Sequence, residues 1–174
     1  MNILLYDVLN KQYDIAIKFS IAGNGKDTSQ QGTLFGCQQN ISPWPGTFIR
    51  YKDDSSIIGR YIGANVKDKN LGGINTIIEL TEKTPPAKNV YNYNNSNRTH
   101  TWGTSLFSIL DANGNPERFV EATLYYFKLF VSGTLVRDMV PCKNSNNVVG
   151  LYDVVNDTFY TSPNGAAFVA GPEV

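Results

Sequence analysis

The sequence predicts an all-β protein, two antiparallel sheets stacked on one core. Three observations lead there. Short runs with period-two alternation fill the chain, turn signals separate them every 8 to 12 residues or so, and no run keeps a 3.6-residue apolar period over three turns. With 174 residues and 41% hydrophobic content, one domain spanning residues 1–174 has enough apolar surface for its own core. No repeat and no linker divides it.

The elements follow in order. "DIAIKFSI" (14–21) sets Ile15, Ile17, Phe19 and Ile21 on one face and Ala16, Lys18 and Ser20 on the other, a half-buried strand. Asn24-Gly25 supplies a tight turn. "GTLFGC" and "TFIRYK" read as strands joined by the rigid loop "SPWPG", where Pro43 and Pro45 fix φ. "KDDSS" turns the chain into the alternating "SIIGRYIG", and "NTIIELTEK" (75–83) reads as another strand. The texture then changes: residues 84–103, "TPPAKNVYNYNNSNRTHTWG", are rich in Asn, Thr and Pro and predict a long loop with local side-chain hydrogen bonds.

"SLFSIL" resumes strand character, and "DANGNPE" turns it. "ATLYYFKLFV" (122–131) is apolar on both faces, which predicts a strand covered on both sides. After "SGT", "LVRDMVP" is a strand expected to stop at Pro141. "NNVVGLYDVV", "TFYTS" and "AAFVAG" are short closing strands around Asn156-Asp157 and Asn164-Gly165. Arg137 and Asp138, adjacent on a strand, point to opposite faces. Leu151 and Tyr152 likewise divide between inside and outside, in either sense.

Residues 125–171, "YYFKLFVSGTLVRDMVPCKNSNNVVGLYDVVNDTFYTSPNGAAFVAG", resemble the closing part of concanavalin A-like, LamG-type jelly-roll modules of the kind found in phage and prophage structural proteins. The pieces that carry the resemblance are a strand like "YYFK", then "G-x-L-V-R-D-x-x-P-C", "VGLYDxVNxxFYT" and a final "G-x-F-x-A-G". The opening strands, "YDIAIKFSI" and "GTLFGC", are similar but less specific. The resemblance implies a concanavalin A-like jelly-roll sandwich of two antiparallel sheets. It also implies a non-enzymatic virion module on a tail, fibre or capsid surface, binding cell-surface glycan or a neighbouring virion protein and open to oligomerisation. The alternatives are a capsid decoration or fibre-attachment protein that binds no sugar, and a glycan hydrolase.

Composition narrows the partners. Fifteen basic residues balance fifteen acidic ones, which argues against nucleic acid or an anionic membrane surface. No apolar run reaches the roughly 18 residues of a membrane span. "MNILLYDVLN" lacks the basic and long apolar regions of a signal peptide. The chain is therefore expected to stay where it is made, as suits a virion assembled in the host cytoplasm and released by lysis.

Chemistry is sparse. Glycosidases of this shape place carboxylates at alternating strand positions, and the retaining ones hold two carboxyls about 5 Å apart. Asp53-Asp54 sit in a turn, and Glu79 and Glu82 are three apart, so neither pair converges. His100 is the only histidine, and no nucleophile elbow or metal-spaced cluster accompanies it. Cys37 and Cys142 are far apart; buried thiols are the leading reading, with a disulfide the alternative. Asp111, Asn113, Asn115 and Glu117 carry oxygens at alternate positions, as calcium loops do, but Asn113-Gly114 is also a hairpin signal and the EF-hand spacing is missing. The turn reading leads, with calcium as the one cofactor alternative.

Two stretches combine aromatic rings with amide, basic or acidic groups, the mix that binds sugars. One holds Trp44, Arg50 and Tyr51; the other holds Tyr91, Tyr93, Asn94, Asn95, Arg98 and Trp102. Each is equally a set of loop anchors or a protein-docking surface.

Overall fold

The fold was obtained as a computed structural model. It describes residues 3–5, 13–22, 32–38, 46–51, 56–62, 66–83, 104–110, 115–162 and 168–171. Among them are fourteen strands and no helix, hence none long and apolar enough to cross a membrane. In chain order the strands are β1 (Ile3–Leu5), β2 (Tyr13–Ile21), β3 (Thr33–Gln38), β4 (Gly46–Tyr51), β5 (Ser56–Ile62), β6 (Val66–Gly73) and β7 (Ile78–Leu80), then β8 (Thr104–Leu106), β9 (Ile109–Leu110), β10 (Pro116–Glu117), β11 (Ala122–Val131), β12 (Thr134–Lys143), β13 (Val149–Asp153) and β14 (Thr158–Tyr160).

They form two six-stranded sheets, ordered β1-β8-β3-β4-β5-β6 and β14-β13-β12-β11-β2-β7, with β9 and β10 paired separately. Every pairing is antiparallel. Consecutive hairpins build most of each sheet. Strands distant in sequence complete each sheet: β8 pairs with β1 and β3 in the first, and β2 pairs with β11 in the second over nine residue pairs from Ala122↔Ile21 to Val131↔Tyr13.

One core lies between the sheets. The alternation of β2 buries Tyr13, Ile15, Ile17, Phe19 and Ile21, which meet Leu34, Phe35, Ile49, Ile57 and Leu106 of the first sheet. Phe35 bridges the layers. Its ring meets Tyr13 edge-on at 6.1 Å and Phe127 at 5.5 Å, geometries that add to plain burial.

Several elements differ from the sequence expectation. "NTIIELTEK" is a strand only over Ile78–Leu80, because Asn75 takes φ 58° and turns the chain. The turn is held by the Asn75 amide donating to the Ile21 carbonyl. β6 was not foreseen; "VKDKNLGG" lacks an apolar face, and it lies at a sheet edge where none is demanded. "SLFSIL" breaks between Leu106 and Ile109, where Phe107 adopts φ 64° and packs edge-on against Phe168.

β12 does not stop at Pro141 but runs to Lys143. Its pairing with β11 spans only Thr134 to Met139, so beyond that point a residue without N–H breaks no β11 bond. β11 is not covered on both faces: Thr123 and Tyr125 are exposed. Residues 168–171 of "AAFVAG" form no strand; Phe168 instead packs against the core.

The hairpin turns follow their residues. Ser132 and Gly133 both have positive φ (51° and 78°), as a two-residue loop of the twisted kind requires. Gly150 answers a different need, since a Cβ there would lie 2.5 Å from the Phe159 ring and 2.5 Å from the Tyr160 carbonyl oxygen. Only a residue without a side chain leaves room for Phe159 to lie over β13.

Candidate functional site

Residues 136–160 carry a connected polar network, and it faces inward. Register sets Arg137 opposite Leu129, and Met139 opposite both Phe127 and Asp153. Leu129, Phe127 and Met139 are core residues, so Arg137 and Asp153 share the core face of the second sheet. Asp153 is 0% exposed.

A buried carboxylate needs a partner for each oxygen, and Asp153 has four donors. The Arg137 guanidinium donates through Nη1 to Oδ2 at 2.9 Å, and Asn156 Nδ2 donates to the same oxygen at 2.8 Å. The amides of Asp138 and Val155 donate to Oδ1, each at 3.1 Å. Burial alone would raise this carboxyl's pKa. The hydrogen bonds from Asn156, the Asp138 amide, Arg137 and the Val155 amide outweigh it and hold the group below the ordinary aspartate value.

Each partner ties down a further piece of chain. Arg137 Nη1 also donates to the Tyr160 hydroxyl at 2.7 Å. Asn156 Nδ2 also donates to the Val136 carbonyl at 2.8 Å, and the Val154 amide to the Asp138 carbonyl at 2.8 Å. The Val154–Asp157 turn is thus clasped to β12 directly and, through Arg137, linked to β14. Arg137 and Asp138 point to opposite faces, as alternation requires, and Leu151 is the inward member of the Leu151–Tyr152 pair.

The outer face carries a second row. Asp138 accepts from Lys128 Nζ at 2.7 Å. Tyr152 donates its hydroxyl to Asp157, a bond that raises the Tyr152 pKa. Further along, register sets Glu79, Lys18 and Tyr126 side by side across β7, β2 and β11. Tyr126 donates to Glu79 Oε1 at 2.9 Å, and Lys18 Nζ lies 3.4 Å from Oε2. The bond from Tyr126, then the charge of Lys18, lower the Glu79 pKa. Partial burial, then the bond to Glu79 and its charge, push Tyr126 up to about 12.

The residues singled out from the sequence are differently placed. Trp44, Tyr91, Tyr93, Asn94, Asn95, Arg98, His100, Trp102, Asp111 and Asn113 lie outside the described residues. Arg50 is half-buried on β4 between Thr33 and Ile58, and Tyr51 ends that strand opposite Ile57. β9 and β10 pair Ile109 with Glu117 and Leu110 with Pro116; residues 111–114 of "DANGN" lie outside the described residues. Asn115 is exposed, and the Glu117 carboxylate lies 3.3 Å from Arg118 Nε. No group of three metal-ligating side chains occurs among the described residues. Cys142 is free.

Sequence reasoning missed the Glu79–Lys18–Tyr126 row, because strands distant in sequence supply it. Compared with known proteins, the chain matches no family model, no curated protein and no solved structure.

Proposed function

We propose that this chain is a concanavalin A-like jelly-roll module of a phage or prophage virion, non-enzymatic, recognising a cell-surface glycan or a neighbouring virion protein. The observation that carries the reading is the fate of the polar residues in the resembling segment. Arg137, Asp153, Asn156 and Tyr160 bond one another and the backbone. A segment whose inward-facing Arg137, Asp153, Asn156 and Tyr160 are engaged in closing a sheet reads as a scaffold, and scaffolds carry recognition on their loops. Two antiparallel six-stranded sheets sharing one core support the sandwich. The virion assignment rests on the resemblance of residues 125–171, since fold alone does not fix function.

The test is attachment of the purified chain to bacterial cells and to virion particles lacking it, with release of reducing sugar followed in parallel. Saturable attachment without sugar release is the expected result. Sugar release abolished by changing one acidic side chain overturns it.

A further inference from the structure

The pairing of β11 with β2 slips by one residue between Leu124 and Tyr126: Leu124 faces Phe19, Tyr126 faces Lys18, and Tyr125 has no partner. In a regular strand two successive tyrosines would point to opposite faces. Here Leu124 and Phe127 both belong to the core, so the extra residue puts Tyr125 and Tyr126 on the same outer face. Tyr125 is 41% exposed. Bulges of this kind re-aim a side chain and favour functional sites.

The surroundings narrow the ligand. Register sets exposed Thr123 opposite Ser20, and extending the β2–β7 pairing by one residue sets Ile77, 59% exposed, on the other side of Ser20. The next row is Glu79, Lys18 and Tyr126. The Tyr126 ring is fixed by its bond to Glu79. Within β11, β2 and β7 both lysines are matched, Lys18 by Glu79 and Lys128 by Asp138, so these three strands offer no unmatched lysine to an anionic polymer. Three strands and two rows span about 10 Å by 7 Å, the footprint of one or two sugar rings and far below a stable protein interface.

From this juxtaposition we infer that the paired tyrosines Tyr125 and Tyr126, with Ile77, Lys18, Glu79 and Thr123 around them, form a binding site for a neutral saccharide. The apolar C–H face of a pyranose lies on the Tyr125 ring, against the negative face of its π system. The Glu79 carboxylate accepts hydrogen bonds from sugar hydroxyls, and Lys18 and Thr123 donate to them. The inference rests on the surface-recognition reading above, and it names a ligand class and a place on the fold.

The probes are oligosaccharides of glucose, galactose, mannose and N-acetylglucosamine, titrated at millimolar concentration into the full chain labelled for NMR. The expected result is a shift of the Tyr125 ring and of amides 18, 77–79 and 123–126 with at least one probe. Tyr125→Ala should weaken that binding about tenfold or more. Tyr152→Ala, on the same face two strands away, should leave it unchanged. Because Tyr125 lies outside the core, its variant keeps the wild-type spectrum elsewhere. Binding of a probe with Tyr125 silent and Tyr125→Ala unaffected overturns this site while leaving surface recognition standing. Failure of every probe to bind also overturns the site, and attachment of the chain to cells or particles then decides the broader reading separately.

Discussion

Arg137 and Asp153 meet on the core face of the second sheet, from adjacent strands, Nη1 to Oδ2 at 2.9 Å. The carboxylate is wholly removed from water, and the guanidinium side chain is 16% exposed. The pair joins β12 to β13 and, through Tyr160 and Asn156, reaches β14 and the turn before it. An ion pair in such a place contributes a specific arrangement more surely than net stability. Its cost falls on any variant that leaves one partner alone.

Asp153→Asn should therefore destabilise the fold by about 3 kcal/mol, because Arg137 keeps its charge with no counter-charge beside it. Urea unfolding of both proteins measures this. A midpoint within error of the wild type would show the pair to be dispensable.

The same carboxylate sets an acid limit. Its folded pKa lies below the ordinary aspartate value, so its stabilising contribution is complete above about pH 4, the range of an unfolded aspartate. That contribution is lost as pH falls through the folded value. The difference in stability between wild type and Asp153→Asn should shrink steadily below about pH 4. Parallel acid curves would contradict the assignment.

At high pH the row on the outer face acts in the opposite sense. Tyr126 ionises only at about 12 when folded, against 10 for an ordinary tyrosine, so the unfolded chain loses its proton first and stability falls as pH rises between those values. Ultraviolet titration of phenolate should show a late-ionising tyrosine that Tyr126→Phe removes. Glu79→Gln should lower its pKa.

Gly150→Ala should cost roughly 1–3 kcal/mol by overpacking, since the new methyl meets the Phe159 ring and the Tyr160 carbonyl. Adding Phe159→Leu should restore only part of the loss, because the carbonyl stays in place. Thermal melts of the three proteins give the comparison.

Legibility followed burial. The apolar alternation of β2 is set by one buried face, and residues 15, 17, 19 and 21 were readable at once. β6 was not, because an edge strand with Lys67, Asp68 and Lys69 has no apolar face to show. The double-faced apolarity of β11 misled: "LYYF" reads as a strand buried on both sides, but a bulge shifts one tyrosine and leaves it in solvent. A bulge is fixed by pairing with a strand some hundred residues away and leaves no local trace. The Arg137–Asp153 contact was hidden for the same reason, since opposite faces could be assigned to Arg137 and Asp138 but not the partner that each would meet. Of the candidate binding residues, only Arg50 and Tyr51 fall within described strands.

The loop tryptophans chosen from the sequence carry their own expectation. Trp44→Ala and Trp102→Ala should each weaken attachment to cells while leaving the far-ultraviolet spectrum unchanged. Normal attachment by both would remove those loops from the recognition surface.

The most direct test of the central claim, recognition without bond cleavage, is to incubate the chain with purified bacterial surface polysaccharide and follow retention and polymer length together by size-exclusion chromatography with light scattering. The account predicts that polymer co-elutes with protein and keeps its mass over time. A falling polymer mass that depends on a single carboxylate of the chain would contradict it.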